Sequence, residues 1–215
     1  EPLSKIIRKK EFYSLNFFVN NDVLDPRPET EIIIEIVKKY FQNRDKNFYI
    51  CDLGTGSGCL SIVLAKTYQF SNVVATDIPS TAIKVARKNA LKHNVSKKIN
   101  FVKCNWINFS KKFDLIISNP PYLSTNEYNN CDYGIRRFEP KIALLAGDKG
   151  LSAYKEISSF LSKLMHKKSF FVCEIGKGQE ANIVKIFKNS GLECIEIVKD
   201  YQLINRVLVM KKSKL

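Results

Sequence analysis

The chain has 215 residues, 45% of them apolar, with 35 basic and 21 acidic side chains and a formal net charge of +14. That length suits one medium-sized domain able to bury roughly 70% of its unfolded surface, so the fold requires neither disulfides nor a metal. No apolar run reaches the length of about 18 residues that a membrane helix requires; even Ile32-Ile33-Ile34-Glu35-Ile36-Val37 is broken by a carboxylate.

The start, Glu1-Pro2-Leu3-Ser4-Lys5, carries neither an apolar signal-peptide core nor an initiator Met and reads as a domain cut from a longer protein. Residues 1–25, with Phe12, Leu15, Phe17, Phe18 and Val19, read as a short hairpin or extended arm, and 26–215 as the main domain. Pro26-Arg27-Pro28-Glu29-Thr30-Glu31 then opens a helix, with proline in the first turn and acids favoured by the helix dipole.

From residue 48 onward, β-branched and aromatic runs alternate with segments of helical period. Strands are predicted at 48–53, 72–76, 99–103, 113–118, 169–175, 192–198 and 206–211, and helices at 58–68, 80–93, 151–166 and 179–190. This is the α/β pattern of a seven-stranded, mostly parallel sheet with helices on both faces. The connection from Lys199 to Asn205 is too short for a helical crossover, so the last strand must be antiparallel. Residues 123–149 fit neither period and read as one long irregular loop, the kind that in compact domains tends to be functional or disordered.

Six cysteines, at 51, 59, 104, 131, 173 and 194, show no C-x-x-C spacing, and most sit in strand-like runs. Reduced buried thiols and a cytoplasmic location follow. His93 and His166 both lie in Lys-rich helix tails and read as solvated helix ends, so neither a metal site nor a His-based triad is expected. The basic charge carries little weight toward nucleic acid. Lys supplies 28 of the 35 cations beside abundant Asn and Ile, a bias that AT-rich codons produce unaided.

Three constellations carry chemistry. Asp52-Leu53-Gly54-Thr55-Gly56-Ser57-Gly58 stands where a strand turns into a helix, and its glycines let a ligand approach the backbone. The dinucleotide template G-x-G-x-x-G fails because residue 59 is Cys; G-x-G-x-G after an acid suits S-adenosylmethionine better. Asp77, ending the next strand, can accept the two ribose hydroxyls; a tight turn and a helix cap are the plain alternatives. Asn119-Pro120-Pro121-Tyr122 follows the strand at 113–118. Two prolines remove two donors and fix φ, leaving the Pro120 carbonyl beside the Asn119 amide oxygen as converging acceptors, with Tyr122 to pack on a planar group. Such acceptors suit an NH₂ group that becomes positive as it attacks a methyl sulfonium. Asn105-Trp106 could frame an adenine ring, or Trp106 could be a core residue.

These segments, together with Leu24-Asp25-Pro26-Arg27-Pro28-Glu29-Thr30-Glu31 and Arg137-Phe138-Glu139-Pro140, resemble the HemK/PrmC family of class I, Rossmann-like S-adenosylmethionine-dependent methyltransferases. Members methylate the glutamine amide of the GGQ motif in peptide chain release factors. The glycine loop and the Asn-Pro-Pro-Tyr turn recur in many methyltransferases, whereas the segments around Pro28 and Glu139 are particular to this family. The resemblance implies cofactor contacts from Gly54, Thr55, Gly56, Ser57, Gly58, Asp77, Asn105, Trp106 and Asn119. It implies that Asn119, Pro120, Pro121 and Tyr122 hold the substrate amide, with Asn119, Pro120 and Tyr122 catalytic. Asn105 stands where relatives usually have Asp. It also makes 26–215 the methyltransferase domain and places the start of the chain after the family's helical N-terminal domain. The expected enzyme is a monomer acting on release factor, with nucleic acid touched only weakly or indirectly. The alternatives are an RNA or DNA exocyclic-amine methyltransferase, and a binding domain that keeps the fold without activity.

Overall fold

The computed structural model describes residues 1–43, 45–105 and 111–213. A seven-stranded sheet runs through it, built from β3 (Tyr49–Leu53), β4 (Asn72–Asp77), β5 (Ile99–Lys103), β6 (Phe113–Ser118), β7 (Met165–Glu174), β8 (Leu192–Lys199) and β9 (Asn205–Lys212), in the order β5-β4-β3-β6-β7-β9-β8. The first five are mutually parallel, and β9 lies antiparallel to β7 and β8.

Period-two alternation sorts the strand residues between two cores. Ile50, Leu115, Ile117, Val172 and Val209 face α2 (Glu31–Tyr40), α3 (Cys59–Thr67) and α4 (Ser80–Lys92). Cys51, Ile116, Phe171, Cys173 and Met210 face α7 (Ser152–Leu161) and α8 (Glu180–Lys188). Burial on both sides explains why these strands read as continuous apolar runs. Among the described residues no helix is long and apolar enough to cross a membrane, and no disulfide forms.

Four expectations change. Residues 1–25 contain a short helix, α1 (Leu3–Ile7), before the hairpin of β1 (Lys10–Phe12) and β2 (Leu15–Phe17). Tyr13 and Ser14 turn the hairpin at φ of 51° and 59°, a two-residue turn whose twist matches the strands. Phe12 and Phe17 are wholly buried, and His93, placed by sequence in solvent, packs its ring 5.1 Å from Phe17. The helix predicted to reach residue 166 stops at Leu161, with a 3-10 turn over Ser162–Leu164, and β7 starts at Met165. His166, Lys167 and Lys168 are exposed where the pairing jumps from Phe113↔Met165 to Leu115↔Phe170, and Ser169 Oγ bridges the irregularity to the His166 amide (2.7 Å) and the Phe113 carbonyl (2.6 Å).

The segment 123–149 is not irregular throughout. Ser124 and Glu127 form a capping box on α5 (Thr125–Asn130), and Asp132 caps α6 (Tyr133–Phe138). Elements of six residues are too short to show a period.

A buried charge network ties the two ends of this architecture together. Lys5 Nζ lies 2.8 Å from Asp25 and 3.0 Å from Glu139, and donates to the carbonyls of Asn20 (3.0 Å) and Val23 (2.7 Å). Arg27 adds a 3.0 Å bond to Glu139 across 112 residues of sequence. Burial pushes the Glu139 carboxyl above its usual range while Lys5 pulls it back. Removing one partner of a buried ion cluster strands the others. Lys5→Met is therefore expected to lower unfolding free energy by about 3–5 kcal/mol in urea titrations. Replacing the exposed Lys39 of the Glu196 pair is expected to cost no more than about 1 kcal/mol, and an unmoved midpoint for Lys5→Met would contradict the structural role given to the cluster.

Candidate active site

The site begins at the turn from β3 into α3. Asp52 is buried, accepts the hydroxyls of Thr55 (2.7 Å) and Ser61, and is pushed up to about 6 by its burial. The amides of Gly54 and Thr55 donate to the Thr76 carbonyl at 3.0 and 2.8 Å, fastening the loop to β4. Gly54, Gly56 and Gly58 all take positive φ. At Gly58 a Cβ would stand 3.1 Å from Ile62 and 3.2 Å from Ala86, so only glycine lets α3 and α4 close at this corner.

Asp77 faces this loop from the end of β4. Its Oδ2 accepts the Gly56 amide and its Oδ1 the Ile78 amide, both at 2.8 Å, which leaves a lone pair on each oxygen for a ligand hydroxyl. Burial raises the Asp77 carboxyl, and the two amides oppose the shift.

A cleft of about 200 Å³ opens over these groups. Gly54, Gly56, Asp77 and Asn119 line it, with apolar walls from residues such as Ile78, Ala82 and Leu145. Thr55 and Ser57 are buried behind the loop, and Gly58 serves the helix packing. Asn105 is exposed, and its neighbour Cys104 takes the wall position. Trp106 lies outside the described residues.

Asn119 also lines a second cleft, of about 250 Å³, with Tyr122, Arg27, Glu29, Glu174 and Arg206. It therefore stands at the junction of the two. Its Nδ2 donates to Thr30 Oγ1 at 2.9 Å, and among the described residues nothing donates to its Oδ1. Pro120 is buried and lines neither cleft, whereas Pro121 lines the first and Tyr122 the second. The Asn-Pro-Pro-Tyr turn is clamped from behind. Gln179 Nε2 donates to the Tyr122 carbonyl at 2.8 Å, and a Cβ on Gly150 would fall 2.3 Å from that same oxygen.

Two residues of the site escape sequence reading. Glu174, at the end of β7, accepts the Thr30 hydroxyl at 2.6 Å and the Tyr122 hydroxyl at 3.2 Å. Burial pushes its carboxyl up to about 7 against the pull of those hydrogen bonds and Arg206. Burial and the Glu174 charge push the Tyr122 phenol upward in turn. The available signal for Glu174 was the one that found Asp77, an acid ending an apolar parallel strand.

Against known proteins, a family model described as the methyltransferase small domain matches residues 21–132. The chain is 37% identical over 216 residues to the release factor glutamine methyltransferase of Buchnera aphidicola subsp. Baizongia pistaciae, covering 99% of this chain and 76% of the relative. It is 38% identical over 235 residues to the bifunctional methyltransferase of Rickettsia bellii, covering 97% of this chain and 42% of that protein. The chain thus spans less than half of that longer relative. A solved methyltransferase from Pyrococcus furiosus superposes with a TM-score of 0.68 at 18% identity, over 98% of this chain and 95% of the other, a likeness of fold. The chain belongs to the HemK/PrmC family, the class I methyltransferases that the glycine loop and the segments around Pro28 and Glu139 resemble.

Proposed function

We propose that the chain transfers a methyl group from S-adenosylmethionine to the glutamine side-chain amide of the GGQ motif in peptide chain release factors. The observation that carries this reading is the place of Asn119, among the described residues the one side chain shared by both clefts that carries a hydrogen-bonding group: Leu24 and Ala143 are the other shared residues. Relatives from Fusobacterium nucleatum, Agrobacterium fabrum and Buchnera bearing the name release factor glutamine methyltransferase support it.

The donor set fits the cofactor. Asp77 offers spare carboxylate lone pairs for ribose hydroxyls, and Gly54 and Gly56 leave the loop open where a Cβ on Gly56 would meet nothing within 4 Å. Ile78 and Ala82 supply an apolar surface for a flat base. When bound, S-adenosylmethionine supplies an electrophilic methyl sulfonium.

The second cleft receives the amide. Asn119 Oδ1 accepts one N–H of the substrate NH₂, and this bond strengthens as the nitrogen loses its resonance with the carbonyl and turns positive. An acceptor that gains strength only as charge develops raises turnover more than affinity. Tyr122, with its hydroxyl held by Glu174, presents a fixed ring beside that position. No general base with a tuned pKa is required, because an alkylated amide nitrogen sheds its proton readily. A cytoplasmic, monomeric enzyme belongs with this reading, since release factors act on cytoplasmic ribosomes.

Incubating the chain with labelled cofactor and a release factor, then locating the label by peptide mass spectrometry, is expected to place one methyl on the GGQ glutamine. Label on nucleic acid with none on release factor would overturn the reading in favour of an exocyclic-amine methyltransferase. Two substitutions separate the roles. Asn119→Ala is expected to reduce turnover by roughly 10²–10³, comparable to deleting one oxyanion-hole donor, with near-normal cofactor affinity. Asp77→Ala is expected to weaken cofactor binding by roughly 10- to 100-fold, the worth of a charge-assisted hydrogen bond, as read by isothermal titration.

A further inference from the structure

Thr30 immediately precedes α2, a place where a hydroxyl ordinarily caps the first turn. Here the side chain makes no cap bond. It turns instead toward the sheet, where it bonds two residues that are 89 and 144 positions away, Asn119 and Glu174. Thr30 and Glu174 are 2% and 1% exposed, so solvent offers no substitute for either bond.

The hydrogens in this chain of bonds can be counted. Thr30 has one proton, and it goes to Glu174 Oε2 at 2.6 Å. The Tyr122 proton goes to Glu174 Oε1, so both oxygens of an ionised carboxylate are occupied as acceptors. The Thr30 oxygen is left with lone pairs only, and they face Asn119 at 2.9 Å. A carboxamide can meet them only with its NH₂ end. Turned over, it would set oxygen against oxygen with no hydrogen between them, at a Thr30 hydroxyl that is itself only 2% exposed.

We propose that Thr30 and Glu174 are positioning residues that fix the polarity of the Asn119 carboxamide, holding its oxygen toward the junction of the two clefts. This rests on the methyl-transfer reading above for its catalytic consequence, though the hydrogen-bond constraint itself does not. Adding a proton to Glu174 undoes the constraint. The acid can then donate to the Thr30 oxygen, the Thr30 proton is free to swing to Asn119 Oδ1, and both amide orientations become satisfied.

The groups facing Glu174 decide where that happens. Tyr122 reaches it from the turn after β6, Thr30 and Glu29 from the 3-10 turn before α2, Tyr154 from α7 through a 2.9 Å bond to the Glu174 carbonyl, and Arg206 from β9. Arg27 stands in the same cleft, and Arg206 is itself held at 2.9 Å by Asp200. Burial outweighs the cations and moves the carboxyl to about 7. Protonation therefore falls inside the physiological range.

The test reads the amide directly. In protein carrying isotope-labelled asparagine, with the Asn119 side-chain signals identified by their loss in Asn119→Asp, those NH₂ resonances are expected to titrate with a midpoint of about 7. In Glu174→Gln, which still offers an oxygen to Thr30 but has nothing to protonate, the titration is expected to vanish. Amide signals that stay fixed over about pH 5 to 9, or that titrate unchanged in Glu174→Gln, overturn the proposal whatever the enzyme's substrate. Turnover supplies the second arm. Thr30→Val, equal in shape without the hydroxyl, is expected to lose about 10- to 100-fold in kcat, the scale of a misplaced catalytic group. Thr30→Ser is expected to restore turnover, and KM and cofactor affinity should hold in both. Parent-like kcat in Thr30→Val overturns the catalytic part. A parent protein whose Asn119 amide titrates but which leaves release factor unmodified sinks the functional reading and leaves the positioning device standing.

Discussion

Parallel pairing in a single register is the constraint from which the rest of the site follows. Leu53 pairs with Thr76 on one side and with Ser118 on the other, and Ser118 pairs with Cys173. The residue after each partner is therefore in one row: Gly54, Asp77, Asn119 and Glu174. Four adjacent strands about 4.8 Å apart deliver a backbone glycine, a carboxylate, a carboxamide and a second carboxylate along one edge of the sheet. A slip of one residue in any pair would send its side chain to the opposite face and dissolve the row. The apolar alternation that fills the two cores is what forbids the slip, so the packing of Ile50, Ile116 and Val172 and the order of polar groups above them are one problem with one solution.

The row carries a cost that the core absorbs. Asp52, just below it, and Glu174, in it, are fully buried acids whose carboxyls are pushed upward by loss of solvent. Each is accommodated by neutral hydroxyls rather than by a paired cation: Thr55 and Ser61 for the first, Thr30 and Tyr122 for the second. Hydroxyls can donate to a carboxylate and still accept from a third group, which a lysine cannot do. That property lets Glu174 reach Asn119 through Thr30. The Lys5 cluster shows the contrasting choice, where cations meet Asp25 and Glu139 directly and no further relay is needed.

Local pattern made most of the fold legible. Strands at 99–103 and 113–118 match to the residue, the second because a parallel strand buried on both faces is a bounded apolar run, the first because an edge strand alternates buried with exposed residues. The glycine loop, Asp77 and Asn119 were legible because strand ends, proline pairs and glycine spacing leave marks within a few positions. Thr30 was not, because what defines it is a contact across 144 residues that no local period records; Glu174 carries the same strand-end mark as Asp77, but its bond to Thr30 leaves none. The start of β7 was hidden by Lys167 and Lys168, charged residues in an irregular stretch of pairing that mimic a helix tail. Asn105 reads in sequence as a base-framing residue, yet the chain turns so that Cys104 holds the wall and Asn105 is exposed.

Why the segments around Pro28 and Glu139 should distinguish this family, when the glycine loop and the Asn-Pro-Pro-Tyr turn do not, has a physical answer in the frame they build. Glu139 accepts from Arg27 and pairs with Lys5, so residues 24–31 and 137–145 are one assembly held by a buried charge. Pro140, Ile142, Ala143 and Leu145 from the one segment, and Leu24, Arg27 and Glu29 from the other, line the clefts together with the strand ends. In the methyl-transfer reading, the strand ends provide chemistry that any planar nitrogen could use. On the proposed methyl-transfer reading, the frame selects which molecule brings that nitrogen to Asn119, and a frame assembled from distant segments around a desolvated ion cluster tolerates few substitutions, because removing either partner strands the other. On that reading, chemistry shared across many methyltransferases and selectivity particular to one family come from different segments lining the same pair of clefts.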